Sequence, residues 1–182
     1  MEICGIDEAG RGPIAGPMVF AGVVLLKDIE GITDSKKLSP KKREELFEKI
    51  VKNSIHRIVW IYPDEIDEKG LSFCIKKALK EIKTNIKAGR YLFDGNSNFG
   101  IEGIETIVKG DLKVKEIGAA SILAKVSRDR YMIEIDKKYP NYNFKKHKGY
   151  ITKEHVELIK KYGFCDIHRK SYRLKELQPT LF

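Results

Sequence analysis

The chain has 182 residues, of which 42% are hydrophobic and 34% charged, and its formal net charge at pH 7 is +9. This length allows one domain with a full core, whereas two ordinary domains and a linker would need more residues. The composition argues against intrinsic disorder. The longest apolar run, 18–26, is interrupted by Gly22 and followed by Lys27, so we expect no membrane span. We expect one domain at 1–175 and a tail at 176–182.

The N-terminus and the cysteines favour a cytoplasmic location. Residues 1–4 lack the basic region and the long apolar stretch of a signal peptide. Cys4, Cys74 and Cys165 are an odd number and form no Cys-x-x-Cys pair, which argues against a disulfide framework and a zinc ribbon. We expect no membrane partner, and we expect the chain to act as a monomer.

Positive charge is concentrated near the C-terminus. Residues 137–175 contain twelve Lys and Arg but three acids, and Tyr139, Tyr142, Tyr150 and Tyr162 lie among them. On charge alone, a solvated lysine-rich surface is the commoner explanation. The alternative is a surface that binds a phosphate backbone and stacks on sugars or bases. We interpret this region as the basic, substrate-binding part of the domain.

The first half of the chain predicts three strands and two helices. Strands are expected at 2–7, 18–26 and 57–62, and the continuous apolar run of the second is typical of a strand covered on both faces. Ser39 and Pro40 form an N-cap and a first-turn proline for one helix, which carries an apolar stripe. A second helix is expected over 71–82, where apolar residues recur with helical spacing.

The second half predicts two more strands and two more helices. Strands at 91–93 and 105–108 are joined by a loop or hairpin at 95–103. A long helix at 117–135 begins with small or apolar residues on every side, so it should lie buried against the sheet. Thr152 can cap a last helix that ends near Gly163. The order of elements predicts an α/β fold with a central mixed five-stranded sheet flanked by helices, plus a short helical basic C-terminal region.

Adjacent carboxylates, Asp7 and Glu8, come where the first predicted strand ends. Successive strand residues point to opposite faces, so both can reach one site only at a strand end or through a bend. Alone, such a pair is more often a solvated charge. Asp94 also falls at a strand end, and Asp111 lies between the last strand and the buried helix. Together the four would suit hard cations such as Mg²⁺, and two such ions could support an in-line phosphoryl displacement.

Other kinds of site fit the sequence less well. The glycine-rich run at 10–16 lacks the Gly-Lys-Ser/Thr of a nucleotide-binding loop and leads into a strand, so we reject an NTPase. Cys165 and His168, with His155 or His147, offer soft ligands. No second pair stands at zinc-binding spacing, and we do not assign a zinc site.

Six blocks of sequence stand out, at 5–13, 34–38, 93–95, 109–111, 119–130 and 147–150. In this order they resemble ribonuclease HII, the type 2 ribonuclease H family, and the resemblance covers the chain from residue 2 to about 173. The resemblance implies an RNase H-like fold and endonucleolytic cleavage of the RNA strand in RNA/DNA hybrids. It also implies cutting on the 5′ side of a single ribonucleotide in duplex DNA, which leaves 3′-hydroxyl and 5′-phosphate ends.

Carried over by motif, the metal-binding and catalytic residues are Asp7, Glu8, Asp94 and Asp111, with Mg²⁺ or Mn²⁺ as the cofactor. These are the same four that the strand ends select. Asp129 is left out, because it is flanked by cations on a helix and is interpreted as an ion-pair partner.

The resemblance also implies a set of substrate contacts. Gly10, Arg11 and Gly12 match the segment that reads the ribose, where glycine allows backbone amides to approach a 2′-hydroxyl. Tyr150 matches a tyrosine that stacks on the deoxyribose after the ribonucleotide; the alternative is an ordinary surface tyrosine. Three further residues match phosphate-contacting positions: Lys36, Ser121 and Lys125. Ser121 and Lys125 could equally pack or cap within their helix.

The C-terminal region departs from the family pattern. Asp166-Ile167-His168-Arg169 replaces the usual Pro-x-His-Arg, and the chain stops at Phe182, where many members carry a further helical segment. Both departures bear on affinity and substrate preference. The tail at 178–182, Gln-Pro-Thr-Leu-Phe, resembles the short Gln-x-x-Leu-Phe peptide by which bacterial replication proteins bind the sliding clamp. A frayed terminus is the alternative.

Two further hypotheses compete with the nuclease. One is a non-catalytic RNA/DNA-hybrid binding module that has kept the basic surface, and the presence of all four acids speaks against it. The other is a different two-metal enzyme of the same superfamily, such as a Holliday-junction resolvase or an integrase core. The Gly-Arg-Gly run and Tyr150 speak against that enzyme.

Overall fold

A mixed five-stranded sheet flanked by helices forms the centre of the computed structural model, which describes residues 2–174. The strand order is β3-β2-β1-β4-β5, in which β1 is antiparallel to β2 and parallel to β4. The predicted fold class is therefore confirmed. The strands are β1 (Ile3–Ala9), β2 (Met18–Leu25), β3 (Ser54–Ile61), β4 (Arg90–Asp94) and β5 (Ile104–Ile107).

The predicted helices are all present, and their expected caps are confirmed. The Ser39 hydroxyl accepts a hydrogen bond from the Lys42 amide at 3.1 Å, and the Thr152 hydroxyl accepts one from the His155 amide at 3.1 Å. In the described part of the chain, no helix has both the length and the apolar character needed to cross a membrane. The helices are α1 (Pro40–Lys52), α2 (Pro63–Lys69), α3 (Leu71–Asn85), α4 (Gly110–Lys113), α5 (Lys115–Asp136), α6 (Phe144–His147) and α7 (Lys153–Tyr162).

Two apolar cores lie on opposite faces of the sheet. Strand β2 contributes to both, because its side chains alternate between the faces. Met18 and Phe20 pack in the core that contains α3, whereas Ala21 and Val23 pack with residues of α1 and α5. Burial on both faces explains why β2 is apolar throughout rather than alternating with polar residues.

Helix α5 lies directly against β1. Its small residues at 118–121 are buried and keep that surface of the helix flat. The closest approach is at Gly5, where a Cβ atom would lie 2.2 Å from the Glu116 carbonyl carbon and 2.3 Å from the Ile117 amide nitrogen. These are backbone atoms, so the position accommodates only glycine.

Two expectations about the strands need correction. The first strand ends at Ala9 rather than Asp7, because its last residues pair with β2, with Asp7 opposite Ala21 and Ala9 opposite Val19. The hairpin considered for 95–103 is wrong. Strands β4 and β5 are parallel, so that segment returns along the sheet as a loop. Local sequence signals did not indicate the short helices α2, α4 and α6.

We expect Gly5→Ala to lower the free energy of unfolding by about 2 kcal/mol or more, because α5 must move away from β1 to admit the methyl group. Chemical denaturation at fixed pH measures this change. Gly12→Ala is the matched control, since its Cβ would meet nothing within 4 Å. The control should stay within about 0.5 kcal/mol of the wild type. Equal stability of the two variants would contradict the proposed close contact.

Candidate active site

Neighbouring parallel strands bring Asp7 and Asp94 together. In the β1–β4 register Ile6 lies opposite Phe93, so the two aspartates are the next pair along. Ile6 and Phe93 belong to the core that contains α3. By strand alternation the aspartates face the α5 side. Asp111, in the first turn of α4, joins them, and its backbone amide donates a hydrogen bond to Asp94 Oδ2 at 3.3 Å.

The three aspartates form a compact group of oxygen donors. One carboxylate oxygen from each lies within 4.8 Å of the other two. Burial, followed by the charges of Glu8 and Asp94, raises the pKa of Asp7 well above its ordinary value. Burial and the charges of Asp94 and Asp34 raise the pKa of Asp111 to about 6. A hard divalent cation would relieve this repulsion, and the donor set fits one.

Glu8 is not among the three clustered residues. One of its carboxylate oxygens accepts a hydrogen bond from Arg11 at 2.7 Å, and its side chain is only 13% exposed. Its other oxygen, Oε2, is buried and has no hydrogen-bond partner among the described residues. Burial raises the pKa of Glu8, and the Arg11 charge opposes that rise. The two adjacent acids therefore differ, because Asp7 joins the cluster and Glu8 forms an ion pair beside it.

The carboxylates line a cavity of about 520 Å³. Every residue that the sequence analysis assigned to the site also lines it, so the fold brings acids and cations around one space. The roles assigned to these residues remain predictions. The lining consists of Asp7, Glu8, Ala9, Gly10, Arg11, Gly12, Asp34, Ser35, Lys36, Asp94, Asp111, Ser121, Lys125 and Tyr150.

Residues 10–17, which we call the glycine loop, line one side of the cavity through their first three residues, and the loop is held by Arg128. The side chain of Arg128 is 1% exposed. Its guanidinium donates to the carbonyl oxygens of Pro17, Ala15 and Lys148 at 2.7–2.9 Å. Gly10 has a φ of +86°, and a Cβ there would lie 2.1 Å from Arg128 Nε. Glycine is thus required both for the backbone conformation and for the close approach of the arginine.

A second buried arginine, Arg169, holds the same loop. It is 0% exposed and donates to the carbonyl oxygens of Gly10, Arg11 and Gly16 at 2.6–2.9 Å. Burial lowers its pKa, and burial lowers that of Arg128 to about 10. The carbonyl groups compensate for much of the lost hydration of both guanidinium groups. Two positive charges therefore lie behind the loop that walls the cavity.

Tyr150 lies at the edge of the cavity over two cations. Its side chain is 39% exposed, and its ring centre is 5.4 Å from the guanidinium carbon of Arg128 and 5.7 Å from Lys125 Nζ. Lys125 also pairs with Asp129 at 3.1 Å, which confirms the interpretation of Asp129 as an ion-pair partner. The exposed part of the ring can therefore contact a ligand while the cations fix its position.

Ser121 uses its hydroxyl group within the protein. It donates to the Gly118 carbonyl at 2.7 Å and accepts from the Ser35 amide at 3.3 Å. Ser35 begins the 3₁₀ turn Ser35–Lys37, which carries the exposed Lys36. Ser121 thus positions the turn that presents Lys36, and this contact favours a packing role over direct contact with phosphate.

Three residues of this region were missed by sequence reasoning. Asp34 accepts a hydrogen bond from the Lys36 amide at 3.0 Å and raises the pKa of Asp111. It opens the block at 34–38, but no local signal showed that this turn returns to the strand ends. Arg128 and Arg169 lie in basic segments where arginine is ordinarily exposed, so their burial could not be inferred.

The fold and the site define a class of protein. Clustered carboxylates from two neighbouring strands and the start of a short helix, inside a cavity bordered by cations, are typical of metal-dependent hydrolases that act on phosphodiesters. A family model described as Ribonuclease HII matches residues 4–175. The chain belongs to the ribonuclease HII family and is a ribonuclease H-type endonuclease.

Individual relatives agree with this assignment. The chain is 54% identical to a ribonuclease HII from Sulfurovum sp. over 99% of its own length and 96% of the relative's. It is 57% identical to a ribonuclease HII from Campylobacter hominis over 100% of its own length and 99% of the relative's. Among solved structures, the ribonuclease HII in a PCNA complex from Archaeoglobus fulgidus superposes with a TM-score of 0.83 at 29% identity, covering 100% of this chain and 98% of that chain.

We expect metal-free Asp7→Asn protein to be more stable than the wild type at pH 8. The folded-state pKa of Asp7 is raised, so above that pKa the wild type carries a charge that the fold disfavours. Asn keeps a side-chain oxygen that can accept the hydrogen bond that the Glu8 amide donates to Asp7 Oδ1 at 2.8 Å. The difference in unfolding free energy should shrink as the pH falls through the folded-state pKa, because the wild-type carboxyl group then binds a proton.

Thermal unfolding with and without Mg²⁺ provides the second measurement. Mg²⁺ should raise the melting temperature of the wild type by binding its folded state, and it should have much less effect on Asp7→Asn. Asp64→Asn, an exposed acid outside the cavity, is the control and should respond to Mg²⁺ as the wild type does. An equal response from all three proteins would place the metal elsewhere.

Proposed function

We propose that this ribonuclease hydrolyses the RNA strand of RNA/DNA hybrids and cuts duplex DNA on the 5′ side of a single embedded ribonucleotide. The observation that carries the proposal is the convergence of Asp7, Asp94 and Asp111 within 4.8 Å, in a cavity that the glycine loop and Tyr150 also line. The three aspartates suit phosphodiester hydrolysis. The loop and the tyrosine suit recognition of a sugar.

We propose Asp7, Glu8, Asp94 and Asp111 as the catalytic and metal-binding residues, with Mg²⁺ or Mn²⁺ as the cofactor. Bound divalent ions would activate a water molecule and stabilise the leaving oxygen. Asp7, Asp94 and Asp111 supply the clustered oxygen donors. Glu8 lies beside them and can contribute once its ion pair with Arg11 opens. Water adds to phosphorus and the bond to the 3′ oxygen breaks, which leaves a 3′-hydroxyl and a 5′-phosphate.

We propose that Gly10, Arg11 and Gly12 read the ribose. Gly12 is exposed, and its Cα faces open space, so a sugar can approach the backbone there. The carbonyl oxygens of Gly10 and Arg11 point to Arg169, which leaves the opposite side of the loop for the ligand. A 2′-hydroxyl distinguishes RNA from DNA, and backbone groups close to the sugar can detect it.

The remaining contacts are proposed to lie along the basic surface. Tyr150 would stack on the deoxyribose after the ribonucleotide, and Lys36 and Lys125 would meet phosphates. We propose residues 1–175 as one catalytic domain, with 137–175 as its substrate-binding part. The hydrogen bonds from Arg169 to the glycine loop support a single domain, because they join the C-terminal segment to the cavity wall.

Cleavage of two substrates tests the proposal. A labelled DNA duplex with one ribonucleotide and a continuous RNA/DNA hybrid are incubated with Mg²⁺ or Mn²⁺, and the products are mapped at nucleotide resolution. We expect the wild type to cut both substrates. We expect Asp7→Asn to lose roughly a hundred- to a thousandfold in rate or more, the usual scale for removing a group that stabilises developing charge.

Asp64→Asn is again the control and should cut at the wild-type rate. Undiminished cleavage by Asp7→Asn would contradict the assigned site. Cleavage of four-way junctions but not of the ribonucleotide-containing duplex would favour a resolvase instead. Binding of the hybrid without any cleavage by the wild type would favour the non-catalytic module.

We also propose that the tail at 178–182 binds a sliding clamp. The tail lies outside the described residues, so support comes from its Gln-Pro-Thr-Leu-Phe sequence and from the similar ribonuclease HII whose solved structure is a complex with PCNA. A chain ending at Glu176 should bind purified clamp at least about tenfold more weakly than the full chain, as expected when the main contacting segment is removed. Equal affinity would dispose of the proposal. Cleavage without clamp should be the same for both chains.

A further inference from the structure

Three buried histidines lie beside the active-site cavity, in the C-terminal part of the described chain. His155 is 0% exposed, His168 1% and His147 8%. The rings of His147 and His155 stack with centres 4.1 Å apart. The described residues that lie near these rings and carry charge or titrate are Asp136, Tyr142, Lys148, Glu154, Cys165 and Lys170.

The hydrogen bonds of His155 and His168 determine where their protons lie. The Cys165 amide donates to His168 Nδ1 at 2.9 Å, so that nitrogen carries no proton. The Tyr150 carbonyl lies 2.8 Å from His155 Nδ1 and can only accept, so that nitrogen carries a proton. In a neutral imidazole the other nitrogen has the opposite role. His168 Nε2 therefore donates to His155 Nε2, and these atoms are 2.9 Å apart.

The result is a directed chain of hydrogen bonds from the Cys165 amide through two rings to the Tyr150 carbonyl. His147 is constrained in the same way, since its Nδ1 accepts from the Gly149 amide at 3.1 Å and its Nε2 donates to the Tyr142 carbonyl at 2.6 Å. An added proton on any ring would face an existing donor. Burial also disfavours a charged ring, and it lowers the pKa of His155 to about 4 and that of His168 to about 3.

Both ends of this series of hydrogen bonds reach the glycine loop. On one side, the Gly149 carbonyl accepts from the Ile14 amide at 3.0 Å, next to Tyr150. On the other, His168 pairs with Ala15 as an isolated β-bridge, and the Arg169 amide donates to the Ile14 carbonyl at 2.7 Å. The two histidines thus link the segment that carries Tyr150 to the segment that carries Arg169.

We propose that His155 is a positioning residue whose Nδ1 donor fixes Tyr150 relative to the glycine loop, and that His168 acts through it by keeping the proton of His155 on Nδ1. The ribose-reading backbone and the tyrosine can then engage the ribonucleotide and the deoxyribose after it together. This inference rests on the proposed function for its kinetic consequence. Neither histidine touches the carboxylates, and neither lines the cavity. Their effect is exerted through the Tyr150 carbonyl and is therefore expected in substrate binding rather than in the chemical step.

Two substitutions at His155 separate positioning from general stability. The amide nitrogen of Asn can take the place of imidazole Nδ1, so His155→Asn keeps a donor for the Tyr150 carbonyl. The longer Gln places its amide near Nε2, so His155→Gln loses that donor. For a DNA duplex with one ribonucleotide, we expect His155→Gln to raise KM about fivefold, the scale of one hydrogen bond, with little change in kcat. His155→Asn should stay near the wild type.

A double-mutant cycle tests whether the effect passes through Tyr150. In a Tyr150→Ala background, His155→Gln should cause no further rise in KM, because the group that it positions is gone. Equal rises in both backgrounds, a loss confined to kcat, or no effect of Tyr150→Ala on KM would each overturn the proposal.

Nuclear magnetic resonance gives a test that does not need catalysis. Nitrogen-15 imidazole spectra at pH 6 should show neutral rings, with the proton of His155 on Nδ1 and that of His168 on Nε2. A charged ring or the opposite tautomer in either residue overturns the proposal. If the wild type cut neither substrate, the proposed function would fail, but the positioning role of His155 could still be tested. The Tyr150 ring resonances should change in His155→Gln and stay unchanged in His155→Asn, and any other result would contradict that role.

Discussion

The hydrogen bonds that two buried guanidinium groups make to the glycine loop determine the shape of one cavity wall. Arg128 and Arg169 between them bind the carbonyl oxygens of Gly10, Arg11, Ala15, Gly16 and Pro17. Arginine suits this task because its planar fork offers five donors in fixed directions and its charge survives burial. A loop that turns its carbonyl oxygens inward can present the rest of its backbone to a ligand.

The same arginines affect the electrostatics of the cavity. The protein places two buried positive charges behind the loop and a group of mutually repelling carboxylates at the ends of β1 and β4. A phosphodiester is negatively charged and divalent ions are positively charged, so a substrate and its metal ions complement these two regions. Burial first, and then repulsion between the neighbouring acids, raises the pKa of Asp7 and that of Asp111. Such repulsion lowers stability and favours metal binding.

Much of the fold was predictable from local pattern. The uninterrupted apolar run of β2 predicted a strand covered on both faces, and Ser39 and Thr152 marked helix starts through their hydroxyl groups. Element boundaries were less predictable. Strand β1 continues to Ala9 because β2 pairs with it there, and pairing with another strand leaves no local trace in the acidic residues that precede the glycine loop. The parallel arrangement of β4 and β5 was hidden for the same reason.

Sequence alone determined which residues could carry the chemistry. Asp7, Glu8, Asp94 and Asp111 follow from strand-end position and from motif, since both depend on residue type and order. Tertiary structure decided how they are grouped: the β1–β4 register and the start of α4 unite three of them, while Glu8 pairs with Arg11. It also decided how Arg128 and Arg169 are buried and which carbonyl oxygens of the glycine loop they bind. Hydrogen bonds between residues more than a hundred positions apart arise only when the chain is folded, so no local pattern could reveal them.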